Sequence, residues 1–333
     1  MLAEQLGQLF CTPTKMNNYA ADLSSVREAA ARIAEFAHRT PVVTCATFDQ
    51  LAQRQLFFKC ENLQKVGAFK FRGACNAVFK LADSTAAKGV VTHSSGNHAQ
   101  ALALAARLRD IPAHIVMPSS ASPVKRTAVE GYGAIVVECE PTLRARETTA
   151  KQVQQETGAT FIHPYDNADI IAGQGTAALE LLDEAESLDV IIAPVGGGGL
   201  ISGTCAAAKA IQPAIRIVAA EPEGADDAYR SKESGQLIPQ TSPQTIADGL
   251  LTSLGELTWP FVRDLVDRVM TVDEDQIVQA MRLAWERAKL LIEPSSAVAI
   301  AVALTPEFRE TVEGQRVGII LSGGNVNLEK LPW

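Results

Sequence analysis

No apolar run in this 333-residue chain approaches the roughly 20 residues that a membrane-crossing helix needs, so nothing reads as a span. Bases are outnumbered, 30 against 38 acids, for a net charge of −8. No basic stripe is left for a nucleic-acid backbone, and that partner is set aside. The six cysteines (Cys11, Cys45, Cys60, Cys75, Cys139 and Cys205) form no C-x-x-C pair, and no histidine cluster stands beside them. They read as reduced, mostly buried thiols of an intracellular protein. The first 20 residues carry Lys15 but no apolar segment of the secretory kind, which points to the cytoplasm and leaves an organelle address open. Also missing are an internal repeat and any linker long enough to separate independent domains.

What is present suits an α/β protein with parallel sheets flanked by helices. Composition is ordinary, 47% hydrophobic and 20% charged, and the length exceeds the commonest single core, so two lobes are expected. Ser24 or Ser25 can cap a helix running to about Ala37. From Lys88 onward strands and helices alternate: strand 89–92, helix 97–108, strand 113–117, helix 123–132, strand 134–138, helix 143–157. Such alternation implies βαβ units. The second half repeats the theme with helix 170–185 and strands 190–195, 215–220 and 317–321. A smaller lobe, residues 85–164, is expected as an insertion into a larger one built from 1–84 and 165–333.

The most informative stretch is Val190 to Gly203. A continuous apolar run reads as a strand buried on both faces, and Leu200 to Lys209 as the following helix, with Gly196, Gly197, Gly198 and Gly199 between them. Without Cβ atoms, such a turn can bring its N–H groups together at the positive end of a helix and cradle a phosphate. A simple hinge explains four glycines poorly. The turn has neither the Lys-Ser/Thr ending of a P-loop nor G-x-G-x-x-G spacing, so it suits a cofactor with one phosphate monoester.

Four further groups could carry chemistry. Lys70 stands between Phe69 and Phe71 and near Arg72; an amine in such surroundings can lose its proton and attack an aldehyde, though a solvated lysine is the plainer reading. Ser94-Ser95-Gly96-Asn97-His98 opens a helix and could bind a carboxylate, or could be an ordinary N-cap. Ser322-Gly323-Gly324-Asn325 ends the last strand, where open α/β sheets place ligands, and a hydroxyl there could meet a ring nitrogen or merely end a strand. Glu221, Glu223, Asp226 and Asp227 offer oxygens for Mg²⁺ or Ca²⁺, or are exposed loop acids.

In this order and spacing the four motifs resemble those of the fold-type II pyridoxal-phosphate enzymes, which are two-lobed and tryptophan synthase β-like. The branch they resemble contains the serine racemases and the short threonine/serine dehydratases. The likeness runs from about Arg39 to Leu328 and includes Gly173-Gln174-Gly175-Thr176, Thr245-Ile246-Ala247-Asp248-Gly249 and Leu291-Ile292-Glu293-Pro294. It implies that Lys70 holds pyridoxal 5'-phosphate as a Schiff base, that Phe69 packs on the ring, and that Asn97 hydrogen-bonds its phenolic oxygen. Gly196 to Gly199 would bind the phosphate and Ser322 the pyridine nitrogen. Ser94, Ser95, Asn97, His98 and Asp248 would bind an amino-acid substrate, with Lys70 and Ser95 as the two proton-transfer groups. Glu221, Asp227 and the Ala225 carbonyl would hold a divalent cation, and a homodimer is implied.

Lys65, Gln100, Tyr132, Lys289 and Asn325 match the branch's nucleotide contacts. Cys45 and Ala46 stand where nucleotide-responsive members carry a Ser-Ser pair, and Val66 replaces a threonine, which weakens the case for ATP as an effector.

The resemblance implies racemisation of serine with elimination to pyruvate and ammonia. The rivals are a serine, threonine or hydroxyaspartate dehydratase and an aspartate racemase. A nicotinamide-dependent oxidoreductase should show the missing G-x-G-x-x-G, and a mere binding module has no need of Lys70.

Overall fold

The computed structural model describes residues 19–121 and 123–333; Cys11 and most of the stretch read for targeting lie outside them. Its strands are β1 (Val42–Val43), β2 (Gln55–Cys60), β3 (Val90–His93), β4 (Ala113–Pro118), β5 (Ile135–Cys139), β6 (Thr160–Phe161), β7 (Val190–Pro194), β8 (Arg216–Pro222), β9 (Arg268–Val272) and β10 (Arg316–Leu321). They form two sheets. The larger has the order β1-β2-β10-β7-β8-β9, parallel except for β1; the smaller, β5-β4-β3-β6, is parallel throughout. This is the α/β architecture that the alternation of strand and helix patterns implies.

β7 shows why an unbroken apolar run is needed. All five residues are buried, and successive side chains point to opposite faces, so Val190 and Ile192 join one core while Ile191 and Ala193 join another. The helix Pro294–Leu304 covers the first face and Gly199–Ile211 the second. On the second side, helices approach backbone to backbone. A Cβ on Gly173 would fall 2.6 Å from the Gly73 Cα, and one on Gly203 would fall 2.4 Å from the Gly175 nitrogen.

A buried ion network fixes the start of the helix Lys70–Lys80. The Arg72 guanidinium, wholly buried, donates to both Glu61 carboxylate oxygens at 2.7 and 2.8 Å and to both of Glu180 at 2.7 and 2.8 Å. An unpaired guanidinium there would cost several kcal/mol; the two bidentate pairs tie this helix to Glu61–Leu63 and to the helix Ala168–Glu184.

Two local expectations are corrected. The first helix is Leu23–Ile33, and its N-cap is Asp22, not a serine: Asp22 accepts from the Ser25 N–H and Ser25 Oγ accepts from the Asp22 N–H. It also stops short of Ala37, because the Gln64 side-chain amide bonds both the N–H and the carbonyl of His38 and draws the chain away. The strand β9 and the helix Pro294–Leu304 are additions to the expected elements; the helix is apolar all round and shows no 3.6-residue period. Among the described residues, no helix is long and apolar enough to cross a membrane. The five described cysteines are free, and Cys60, Cys75 and Cys205 are buried.

Candidate active site

The chain reaches Lys70 through a strained turn. Val66 and Gly67 both take left-handed backbone angles, φ 57° and 67°, which a β-branched residue rarely adopts. Ala68 then bridges Gly323, and the Phe69 N–H donates to the Ser322 carbonyl at 3.0 Å. Lys70 is thereby seated beside the end of β10, at the first position of its helix. Its ammonium donates to the Pro164 carbonyl at 3.0 Å and lies 5.2 Å from the centroid of the Phe69 ring. Burial pulls its pKa down to about 8, against the opposing pull of the Glu293 carboxylate. Lys70 is half-buried and its ammonium is held by Pro164, so it is not a freely solvated lysine.

The residue after Pro164 reaches the glycine turn. The Tyr165 ring lies where side chains on Gly197 would have to be, 2.3 Å from an added Cβ, and the Tyr165 backbone and Cβ crowd Gly199. Gly198 has φ +87°, and a Cβ there would fall 2.7 Å from Thr258 Oγ1. Among the described residues, the N–H groups of Gly196, Gly197 and Gly198 have no acceptor. Three free donors, at the start of the helix Gly199–Ile211 and in a turn with no room for side chains, fit a phosphate monoester.

β3 ends at His93, and Ser94-Ser95-Gly96 turns into the helix Asn97–Leu108. The N-cap is Gly96, with no side-chain cap, so the first-turn N–H groups are left open and neither serine caps the helix. Asn97 donates through Nδ2 to both Glu293 carboxylate oxygens at 3.0 and 3.2 Å, and its Oδ1 accepts from Asn325 Nδ2 at 2.9 Å. His98 is buried, and burial together with the nearby Lys70 charge holds its pKa well below the usual imidazole range, so its ring is neutral.

Glu293 is the residue that motif reading left without a role. It is buried at the start of the helix Pro294–Leu304, and burial raises its pKa to about 7, against the stabilising hydrogen bonds from Asn97 and Asn325. The only signal was an acid set between Leu291-Ile292 and Pro294.

The remaining expected residues fall in three places. Ser322 is buried at the end of β10. Asp248 is half of an ion pair with Lys125, 2.8 Å apart, and the neighbouring Gly249 and Leu250 crowd Gly196. Glu221, Ala225 and Asp227 are fully buried, unlike the exposed Glu223. Glu221 accepts from the N–H groups of Ala228 and Tyr229 at 3.0 and 2.8 Å. Asp227 accepts from the Leu254 N–H at 2.9 Å, while its Oδ1 is buried without a partner. Burial and the mutual repulsion of the two acids raise Glu221 well above the carboxylate range; burial raises Asp227 to about 6. An orphaned carboxylate oxygen beside a second buried acid fits a hard cation.

The nucleotide-contact positions have separate neighbours. Lys65 lies over the Phe71 ring, Tyr132 meets the Arg107 guanidinium, Lys289 donates to the Glu286 carbonyl, and Asn325 serves Asn97 and Val66. Gln100 lies in the helix Asn97–Leu108.

A lysine with a lowered pKa, a glycine turn with free N–H donors and a buried hydroxyl at a strand end thus lie together. The family model for pyridoxal-phosphate dependent enzymes matches residues 33–323. The chain belongs to that family. It is 54% identical over 315 residues to a serine racemase of Oryza sativa, covering 94% of this chain and 93% of that protein. It is 51% identical over 302 residues to a beta-hydroxyaspartate dehydratase of Paracoccus denitrificans, covering 91% of this chain and 95% of the other. The solved structure of maize serine racemase superposes with a TM-score of 0.92 at 54% identity, over 93% of this chain and 95% of that one. Within the pyridoxal-phosphate family, then, sequence and fold both place this chain beside racemases and dehydratases of small hydroxy amino acids.

Proposed function

We propose that this enzyme interconverts L-serine and D-serine and also eliminates water from serine to give pyruvate and ammonia. The observation that carries the reading is the meeting of Lys70, with its pKa lowered to about 8, and the uncapped Ser94–Asn97 turn in one cleft, linked through Glu293. In it Gly196 to Gly199 hold the phosphate of pyridoxal 5'-phosphate, Phe69 packs on the ring, Asn97 faces the phenolic oxygen and Ser322 faces the ring nitrogen. When bound, that cofactor withdraws electrons from the substrate α-carbon and acidifies its proton.

The residues divide the rest of the work. Ser94, Ser95, Asn97 and His98 orient the substrate carboxylate at the helix N-terminus, with Asp248 at the cleft mouth. The Lys70 amine takes or returns the α-proton on the L face, and Ser95 Oγ does so on the D face. Once the proton is gone, loss of the β-hydroxyl competes with its return, and water converts the product to pyruvate and ammonia. A hydroxyl rather than a carboxylate at the ring nitrogen leaves the electron withdrawal mild, which suits prompt reprotonation. Glu221, Asp227 and the Ala225 carbonyl would hold Mg²⁺ or Ca²⁺, which would fasten the segment from Glu223 to Leu254 to the large sheet. The lobes would be 85–164 and the remainder, and the assembly a homodimer in the cytoplasm. ATP control is no part of this reading, given Cys45, Ala46 and Val66.

The resemblance to the beta-hydroxyaspartate dehydratase favours a second reading, elimination without useful racemisation; an aspartate racemase is a third. Chiral chromatography of the products from L-serine, with pyruvate measured in the same tube, decides. D-serine and pyruvate together are expected. Pyruvate alone would establish the dehydratase, and no reaction with serine would turn the search to aspartate and hydroxyaspartate.

A further inference from the structure

Asn325 follows Ser322-Gly323-Gly324 and has a partner on each of three elements that build the cleft. Its Nδ2 donates to the Val66 carbonyl at 2.7 Å and to Asn97 Oδ1 at 2.9 Å, and its backbone N–H donates to Glu293 Oε2 at 3.0 Å. Its Oδ1 closes on Gly67, where an added Cβ would lie 2.7 Å away. The next residue back, Gly324, donates to the Gly67 carbonyl at 2.9 Å.

Two consequences follow. Asn97 has its acceptor atom engaged by Asn325 and its donor atom by Glu293, so its amide cannot flip and its orientation is fixed. Val66 and Gly67 lie at φ 57° and 67°, and for a β-branched residue that conformation persists only where the surroundings enforce it. Asn325, beside the Gly324 N–H bond to Gly67, supplies that enforcement at Val66, which lies four residues ahead of Lys70.

We propose that Asn325 is a positioning residue, whose one side-chain amide sets the orientation of the Asn97 amide and pins the left-handed turn that delivers Lys70. The inference rests on the reading of Lys70 and Asn97 as cofactor groups.

The test uses holoenzyme of Asn325→Ala, of Asn325→Ala with Val66→Gly, and of Asn325→Asp. Its readouts are the absorption maximum of bound pyridoxal phosphate, the melting temperature, and kcat and KM for L-serine. In Asn325→Ala the absorption maximum should shift and kcat should fall about tenfold or more, the scale of a misplaced reacting group, with KM nearly unchanged. Adding Val66→Gly removes the strain, so the melting temperature should recover while the shifted spectrum persists. Asn325→Asp, which loses the Nδ2 donor, should keep the shifted spectrum as well. Full recovery of spectrum and kcat in the double variant would reduce Asn325 to a staple of the turn and overturn the Asn97 half. A wild-type spectrum and kcat in Asn325→Ala would overturn the whole. If Lys70→Ala were active, the underlying reading would fail independently of these results.

Discussion

The Lys70 ammonium donates to the Pro164 carbonyl at 3.0 Å, across a sequence separation of 94 residues. That contact joins the start of the helix Lys70–Lys80 to the segment leaving β6, and the adjacent Tyr165 carries the connection on to the glycine turn. The lysine and the glycine turn are therefore set by the same dipeptide.

Lys70→Ala should abolish turnover while leaving the fold intact. The variant can still take up cofactor through the glycine turn but should lack a visible absorption band that borohydride removes. Wild-type turnover in this variant would end the proposed mechanism.

Lys70 also predicts a pH dependence. Burial lowers its pKa to about 8, so the amine is protonated and unreactive below that pH and free above it. The rate at which cofactor-free enzyme takes up pyridoxal phosphate, followed by stopped-flow absorbance, should rise up to about pH 8 and then level off. A rate still climbing beyond pH 10 would mean that the lysine titrates like an exposed one.

Gly197→Ala places a Cβ 2.3 Å from the Tyr165 ring, and neither the buried turn nor the ring can yield freely. Affinity for pyridoxal phosphate should drop, by about tenfold or more, equivalent to about 1.4 kcal/mol. Equilibrium titration measures it. Combining the change with Tyr165→Ala should recover part of the loss, and no recovery would show that the clash lies elsewhere.

Glu221→Ala or Asp227→Ala should weaken the response to divalent cations. In the wild type, Mg²⁺ or Ca²⁺ at 100 times its Kd should raise stability by about 2.7 kcal/mol, and either variant should lose that increment. Activity should fall only indirectly, because neither acid hydrogen-bonds Lys70, Ser94, Ser95, Asn97 or Glu293. If a chelator left the melting temperature and activity of the wild type unchanged, the two carboxylates would be structural acids and not a cation site.

Ser95→Ala separates the two faces of the α-carbon. Lys70 can still take the proton from L-serine and the β-hydroxyl can still leave, so pyruvate formation from L-serine should survive in part. Interconversion in either direction should vanish, together with elimination from D-serine, since no group remains on that face to move a proton. Racemisation at a near wild-type rate would assign the second proton transfer to another residue or to water.

Much of this was legible along the chain because it depends on local pattern. The apolar run 190–195, four glycines and the helix that follows define a strand-turn-helix unit wherever they occur, and the alternation from Lys88 to Thr157 allows little besides a parallel sheet. Lys70 between aromatics and Ser94 to His98 at a helix start could likewise be picked out by type and spacing. Glu293 and Pro164 could not. An acid in an apolar run or a carbonyl after a short strand has no distinguishing period, and what it touches depends on residues about 100 to 200 positions away.

The sequence by itself determined the α/β layers, the glycine turn between strand and helix, and which lysine stands among aromatics, because backbone freedom, side-chain period and chemical type are properties of short segments. Only the tertiary structure decided that Glu221 and Asp227 are buried together, that Asn325 serves Asn97, and that Lys70 is half-buried against the Pro164 carbonyl, where its pKa falls. Those are effects of desolvation and of directed hydrogen bonds, and both arise only when distant segments close over one another.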